Sequence, residues 1–115
     1  MSKFVMDKAI RLLGSDLSGK KVCIVGLSYK SDISDLRSSP SLILWDLLEA
    51  AKAQVSYHDL FHPTFHGINC VDLSTSQFDL AIVATRHSDL NTGELISSSK
   101  LVLDCTATIA GVFWL

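Results

Sequence analysis

A run of β-branched and small apolar residues, Lys21 to Leu27, constrains the fold of this chain more than any other feature. Its sequence, Lys-Val-Cys-Ile-Val-Gly-Leu, shows no polar alternation and is typical of a central parallel strand that is buried on both faces. The stretch that follows, Ser28 to Ser39, is polar and has neither a helical nor a strand period. It is about twice the usual upper length of a strand-to-helix connection, and such long polar loops are usually functional or disordered.

Helical and strand patterns alternate along the rest of the chain. An amphipathic helix is predicted from Lys3 to Gly14, and Ser39-Pro40 predicts the N-cap and first residue of a second helix that runs to about Ala53. Further strands are predicted at 54–59, 78–85 and 100–106, a short helix at 90–97, a short strand at 70–73 and a helical turn at 74–77. This order predicts an α/β, Rossmann-like three-layer domain with a parallel, doubly wound sheet.

Length, composition and charge limit the possible classes of protein. The 115 residues suffice for one domain, and a composition that is 48% hydrophobic and 19% charged argues against disorder. A net charge of -2 offers no basic face to nucleic acid, and the sequence has neither a membrane-spanning run nor a secretory leader. The three cysteines are an odd number and lie far apart, so we expect structural thiols in the reducing cytoplasm rather than disulfides.

In a doubly wound sheet, ligands bind beyond the carboxyl ends of the strands. This rule indicates three segments, 27–39, 59–66 and 85–88. The glycine fingerprint of a dinucleotide site is missing, because Gly26 stands alone where three glycines are needed for close approach to a pyrophosphate. We therefore do not expect this chain to bind NAD independently in the ordinary way.

The long loop after the first strand combines cations, acids and an aromatic ring, namely Tyr29, Lys30, Asp32, Asp35 and Arg37. A lysine and an arginine beside the free amides of a helix N-terminus can form an anion site, while the tyrosine can stack on a base or bond to a ribose. The alternative is a solvated loop whose opposite charges pair locally. Composition alone does not decide between the two interpretations.

The same loop carries a resemblance to a known family. Gly26-Leu-Ser-Tyr-Lys30 followed by Asp32, Asp35, Arg37 and Ser39-Pro40 resembles the Gly-Leu-x-Tyr/Phe-Lys-x-Asp-x-x-Asp-x-Arg-x-Ser-Pro motif of the UDP-glucose/GDP-mannose dehydrogenase family. The similarity continues through the Trp45-Asp-Leu-Leu helix, Val55-Ser-Tyr-His-Asp59 and the Ala84-Thr-Arg-His87 turn. It covers essentially Leu17 to Cys105.

The resemblance implies the C-terminal, UDP-sugar-binding domain of an NAD-dependent dehydrogenase. Enzymes of this family oxidise the C6 hydroxyl of a nucleotide-sugar to a carboxylate in two NAD-dependent steps, through a cysteine-linked thiohemiacetal, and serve polysaccharide biosynthesis. Their NAD is held mainly by an N-terminal domain, and a central domain mediates dimerisation. On this basis Tyr29 and Lys30 are expected to contact the nucleotide-sugar, and Arg37 to reach NAD across the cleft. Residues 1–19 are expected to form a linker helix and turn, and residues 20–115 the binding domain.

The sequence departs from the family pattern at three positions. Thr106 stands where the family commonly has an arginine that contacts the nucleotide-sugar, Leu60 replaces the proline of an Asp-Pro turn, and Arg86 occupies a position that is often acidic or small. The family's catalytic cysteine belongs to a Gly-Gly-x-Cys segment that has no match here, so Cys105 is not assigned to catalysis. No catalytic residue is predicted, and the chain alone is not expected to be an active enzyme.

Other interpretations remain open from the residues alone. His58, His62 and His66 have a four-residue spacing that could align metal ligands on a helix, but Pro63 and Gly67 interrupt it, which favours exposed loop histidines without a metal. Asp59 is predicted to be a structural or turn residue rather than a ribose ligand. His87 is predicted to lie either in the ligand cleft or in a turn. Trp45 and Trp114 are predicted to be packing residues. The alternative function is a standalone nucleotide-binding or regulatory module without chemistry of its own.

Overall fold

The computed structural model describes residues 2–14, 16–28, 36, 39–65, 67–106 and 113–114. Their helices and strands are, in chain order, α1 (Ser2–Leu12), β1 (Lys21–Val25), α2 (Pro40–Ala50), β2 (Gln54–His58), β3 (Thr64–Phe65), β4 (Ile68–Asn69), β5 (Phe78–Val83), α3 (Thr92–Ser98), β6 (Ser99–Asp104) and β7 (Phe113–Trp114). No helix within these ranges combines the length and the hydropathy needed to cross a bilayer.

Five strands form one sheet in the order β2-β1-β5-β6-β7, and every pair in it is parallel. The chain leaves β1 toward one edge to make β2 and then crosses to the other side of β1 to make β5. The strand order therefore reverses between β1 and β5, which is where doubly wound sheets bind their ligands. The predicted Rossmann-like architecture is confirmed.

Alternate residues of the central strands point into two separate cores. Val22 and Ile24 of β1 pack with α1 and α2 on one face of the sheet, whereas Cys23 and Val25 pack on the opposite face with Leu95 of α3. This two-sided burial explains why the β1 sequence lacks polar alternation. Helix α1 also contacts α2 directly and contributes Val5, Met6 and Ala9 to the first core, so it is part of the folded unit.

Aromatic rings fill the outer part of the first core. Trp45 of α2 is almost fully buried and meets Tyr57 and Phe65 edge to face, with ring centroids 6.1 and 5.3 Å away. Such edge-to-face geometry aligns the positive ring edge of one residue with the negative face of another. Trp45 is thus a packing residue, as predicted, and the side chain of Trp114 lies outside the described part of the structure.

Helix α2 begins where the sequence predicted and ends earlier. The Ser39 hydroxyl caps the helix by accepting a hydrogen bond from Ser41 N at 3.3 Å, and Pro40 occupies the first turn. The predicted end near Ala53 is wrong, because Lys52 adopts a φ of 64° and reverses the chain. Lys52 N donates to Glu49 O and Ala53 N to Leu48 O, which is the pattern of a Schellman motif with lysine in the usual glycine position.

The segment between β2 and β5 differs from the prediction. The strand predicted at 70–73 is wrong; instead β3 and β4 form a small antiparallel hairpin before it, with Gly67 at a φ of 75° in the turn. The helical turn predicted at 74–77 is also wrong, since Asp72 caps a simple turn by accepting from Ser74 N at 2.9 Å. The short strand β7 was not predicted. Both β7 and the hairpin strands are two residues long, too short to leave a periodic pattern.

Gly26 allows β1 and β5 to approach each other at the point where the strand order reverses. It has a φ of 89°, and a Cβ added to it would overlap the main-chain carbonyl of Thr85. Any side chain at this position would therefore push the carboxyl ends of the two strands apart. The residue is required for close packing rather than for flexibility.

We expect Gly26→Ala to lower the free energy of unfolding by about 3 kcal/mol, because it adds a steric overlap to an unfavourable backbone conformation. Gly19→Ala is the matched control: Gly19 has a similar φ of 74° but open space around its Cα. Gly19→Ala should lower the free energy of unfolding by about 1 kcal/mol, which is the effect of the unfavourable backbone conformation alone. Urea denaturation measures both values, and equal losses would show that the contact with Thr85 has no energetic consequence.

Candidate functional site

Asp59 connects the carboxyl ends of the two strands β1 and β2. It follows β2 directly and is 1% exposed. Its Oδ2 accepts hydrogen bonds from Leu27 N at 2.7 Å and Ser28 N at 3.3 Å, the first residues of the chain beyond the Gly26 turn. One carboxylate thus fixes the main chain at the start of the long polar loop.

The same carboxylate reaches β5 and its own loop. His87, buried in the turn after β5, donates from Nε2 to Asp59 Oδ2 at 3.0 Å. Phe61 N donates to the other oxygen, Oδ1, at 2.9 Å. We call Asp59, Ser28, His62, His87 and Phe61 the Asp59 cluster. It gathers residues from all three segments that the sequence indicated as ligand-binding positions.

Asp59 is ionised within this cluster. Burial alone raises the pKa of the Asp59 carboxyl, but the hydrogen bonds from Leu27 N, the His87 ring and Phe61 N outweigh that effect. The pKa of Asp59 therefore lies below its ordinary value. Since its donors come from the chain itself, the structural role favoured by the sequence is confirmed.

Ser28 and His62 contact each other without forming a nucleophile. Ser28 Oγ lies 3.3 Å from Asp59 Oδ2 and 3.2 Å from His62 Nε2. A carboxylate can only accept, so the single hydroxyl proton points to Asp59 and His62 Nε2 must donate to Ser28. A hydrolytic triad needs the opposite order, with histidine accepting the proton and the carboxylate behind the histidine. Ser28 is also fully buried, which leaves it a structural role.

The long loop is closed at its base. Ser39 Oγ donates to Leu27 O at 2.6 Å, and Ser41 Oγ donates to Gly26 O at 2.8 Å, so the start of α2 is bonded to the end of β1. Thr85 Oγ1 adds a bond to Ser28 O at 2.7 Å from the β5 side. The loop therefore begins and ends at the point where the strand order reverses. The predicted site residues Tyr29, Lys30 and Arg37 belong to this loop and lie outside the described residues.

A separate cleft of about 530 Å³ lies between the residues that follow β2 and the start of α3. Its walls carry three carboxylates, Asp72, Asp89 and Glu94, together with His58 and several apolar side chains. A negatively charged lining repels a diphosphate and offers it no fixed cation. The negative charge of this cleft makes it unsuitable for the phosphates of a nucleotide.

The histidines and cysteines of the described residues serve structural contacts. His58 Nδ1 bonds to Val71 O at 2.8 Å and His62 faces Ser28, while His66 lies outside the described residues. No group of three metal-ligating side chains occurs within the described part of the chain. Cys23, Cys70 and Cys105 are free thiols, and burial raises the pKa of each, to about 11 for Cys105. None has the lowered pKa of a reactive cysteine.

Thr106, which the resemblance aligns with a common arginine position of the family, is turned toward its own strand. Its main-chain N donates to Asp104 Oδ1 at 2.8 Å, and its hydroxyl donates to the same oxygen. A neutral hydroxyl cannot supply the bidentate cationic contact of a guanidinium. At the end of β6, Asp104 and Thr106 therefore supply an acid and a hydroxyl.

The sequence did not indicate Ser28, His62 or Phe61 as members of one cluster. Each is an ordinary loop residue in the sequence, and their association depends on the order of strands in the sheet. An acid at the end of β2 together with a histidine after β5 was the available signal, because parallel strands end at the same edge. Pairing Asp59 with His87 would have followed from that rule.

Comparison with known proteins gives a consistent result. A family model described as the UDP-glucose/GDP-mannose dehydrogenase family, UDP binding domain, matches residues 23–110. UDP-N-acetyl-D-mannosamine dehydrogenase of Methanococcus aeolicus is 28% identical over an alignment that covers 99% of this chain and 28% of that protein. UDP-glucose 6-dehydrogenase YwqF of Bacillus subtilis is 36% identical over 48% of this chain and 12% of that protein. The chain thus spans less than a third of the length of either relative.

Solved structures show the same fold. UDP-N-acetyl-mannosamine dehydrogenase Cap5O of Staphylococcus aureus superposes with a TM-score of 0.76 at 23% identity, covering 98% of this chain and 29% of that one. NDP-N-acetyl-D-galactosaminuronic acid dehydrogenase of Methanosarcina mazei Go1 gives a TM-score of 0.72 at 24% identity, covering 94% of this chain and 25% of that one. At this level of identity the likeness establishes the fold.

We expect Asp59→Asn to lower the free energy of unfolding by about 3 kcal/mol at neutral pH, because it removes the charge that the buried donors face. The pKa of Asp59 is depressed on folding, so its stabilisation is present above the ordinary value near 3.8 and is lost as pH falls through the lower folded-state value. Urea denaturation at several pH values between about 7 and 3 should therefore show the deficit of the variant shrinking in acid.

Glu49→Gln is the matched control for this charge removal, because it neutralises an exposed carboxylate on α2. It should change the unfolding free energy by less than about 0.5 kcal/mol. A deficit in Asp59→Asn that stays constant down to acid pH would contradict the assignment of a stabilising ionised carboxylate.

Proposed function

This chain belongs to the UDP-glucose/GDP-mannose dehydrogenase family as its UDP-binding domain, and from that premise we propose that the loop between Ser28 and Ser39 binds the nucleotide-sugar of an NAD-dependent 6-dehydrogenase. The observation that carries the proposal is the closed base of this loop. Its two ends are bonded to each other through Ser39 and Leu27, at the carboxyl end of β1 and beside β5. A ligand-binding loop in this fold is expected at that position.

The proposed contacts follow the chemistry of a nucleoside diphosphate linked to a sugar. Lys30 supplies a cation for the phosphates, and Tyr29 contacts the nucleotide-sugar beside it. The N-terminus of α2 follows the loop, and its first turn carries no acidic residue, so its positive dipole end adds to the attraction for an anion. The acid-lined cleft between the residues after β2 and the start of α3 repels phosphates and is therefore an unfavourable site for the diphosphate.

NAD does not fit this chain as an independent site. In an ordinary dinucleotide domain, an acid at the end of the second strand bonds to the ribose. Here the equivalent acid, Asp59, is turned inward to Leu27, Ser28, His87 and Phe61. We propose instead that a preceding domain of the parent enzyme holds NAD and that Arg37 reaches it across the interdomain cleft.

In the proposed parent enzyme, this chain supplies binding and orientation rather than chemistry. The described thiols all have raised pKa values, so the nucleophilic cysteine of the reaction would come from the preceding part of the polypeptide. Residues 1–19, which include α1, form the end of the linker into the binding domain. We place the parent enzyme in the cytoplasm, as a dimer through its central domain, where it converts the C6 hydroxyl of a UDP-sugar to a carboxylate for polysaccharide biosynthesis.

Titration of the chain with UDP, followed by calorimetry, tests the proposed binding site. We expect saturable binding, and we expect Lys30→Ala to lower the affinity about ten-fold or more, since a charge-assisted contact to a phosphate contributes about 1.5–3 kcal/mol. Lys100→Ala is the matched control, because Lys100 is an exposed lysine at the amino edge of the sheet, where it forms an ion pair with Asp79. The control should bind UDP within about two-fold of the unmodified chain. Equal affinity in both variants would contradict the role of Lys30.

Replacement of Thr106 tests the cost of the missing arginine. We expect Thr106→Arg to raise the affinity for UDP about ten-fold, because a guanidinium adds a bidentate charge-assisted contact. Thr106→Gln is the matched control, since it adds length and hydrogen-bonding groups without charge. A gain in the glutamine variant equal to that in the arginine variant would show that charge at this corner does not contribute to nucleotide binding.

A further inference from the structure

Phe61 places an aromatic ring at the carboxyl edge of the sheet, where the fold does not bury it. The residue is 39% exposed, whereas Trp45 and Tyr57 are 1% and 0% exposed in the core. A partly exposed phenylalanine contributes less to the stability of the fold than a fully buried one. The ring therefore remains accessible at the edge of the sheet where this fold binds ligands, and an accessible aromatic face at that edge can stack on a planar ligand.

The ring is held in a fixed position. Its main-chain N is bonded to Asp59 Oδ1, and its ring packs at 4.6 Å from the ring of His87 with the planes inclined by 44°. His87 is itself buried and bonded to Asp59 Oδ2. One side of the Phe61 ring is thus supported by a rigid group, which reduces the entropy lost when a ligand packs on the other side.

The position of the ring relates it to the proposed nucleotide loop. Asp59 bonds to Phe61 N through one oxygen and to Ser28 N through the other, and Ser28 immediately precedes the loop. The ring consequently stands beside the start of that loop, on its β2 side. Phe61 thus places an exposed aromatic side chain at this edge of the sheet, next to the start of the loop.

We propose that Phe61 is the stacking surface for the base of the bound nucleotide. The inference rests on the proposed function, because it assumes that the loop between Ser28 and Ser39 holds the diphosphate. A planar base stacked on an aromatic ring gains about ten-fold in affinity in typical substitution series, without any hydrogen bond to the base. Phe61 therefore contributes to nucleotide affinity through the base alone and not through the phosphates.

The test compares UDP with inorganic pyrophosphate, which has the phosphates but no base. Phe61→Leu retains an apolar side chain against His87 and removes the aromatic face. We expect this variant to bind UDP about ten-fold more weakly and pyrophosphate within about two-fold of the unmodified chain. Phe61→Tyr should bind UDP like the unmodified chain, because it keeps the ring. Lys30→Ala should weaken both ligands.

Leu60→Ala is the matched control, since Leu60 is the neighbouring exposed apolar residue, 57% exposed. It should leave both affinities unchanged within about two-fold. Phe61→Leu with unaltered UDP affinity, or with equal losses for UDP and pyrophosphate, would overturn the assignment of Phe61 while leaving the proposed function intact if Lys30→Ala still weakens both ligands. Absence of UDP binding by the unmodified chain would overturn the proposed function and this inference together.

Discussion

A single buried carboxylate, that of Asp59, holds together the carboxyl ends of β1, β2 and β5. It accepts hydrogen bonds from the main chain after β1, from the His87 ring after β5 and from its own loop after β2. Burying a charge is costly unless each acceptor position has a donor. The donors come from the ends of three different strands. The carboxylate therefore has all its hydrogen bonds only when β1, β2 and β5 are correctly aligned in the sheet.

The hydrogen bonds of Asp59 show how a doubly wound fold can keep its architecture without a dinucleotide site. The acid that ordinarily faces a ribose now faces the protein interior, and the single glycine that remains, Gly26, serves strand packing against Thr85. The space beyond β1 is then available to a longer polar loop closed by the bond from Ser39 to Leu27.

The sequence predicted those parts of the structure that depend on local periodicity. The buried run of β1, the Ser39-Pro40 start of α2 and the parallel order were confirmed because each leaves a pattern in consecutive residues. The end of α2 was wrong because lysine at position 52 takes a conformation that usually signals itself through glycine. The Asp59 cluster could not be read from spacing, since its members meet only after the strands are ordered in the sheet.

The charges of the described residues also favour one orientation of the nucleotide in the proposed site. In the proposed binding mode, the start of α2, with no acid in its first turn, attracts the phosphates, while Asp72, Asp89 and Glu94 repel them from the cleft beside α3. The base of the nucleotide is neutral, so these carboxylates do not repel it. The base is therefore the part of the ligand that can lie beside Phe61, after β2. At the end of β6 the Thr106 hydroxyl donates to Asp104, so this residue offers no positive charge to the phosphates of the proposed ligand. In the proposed binding mode, the base and Lys30 contribute the larger share of the binding free energy, and charge repulsion and attraction together orient the nucleotide.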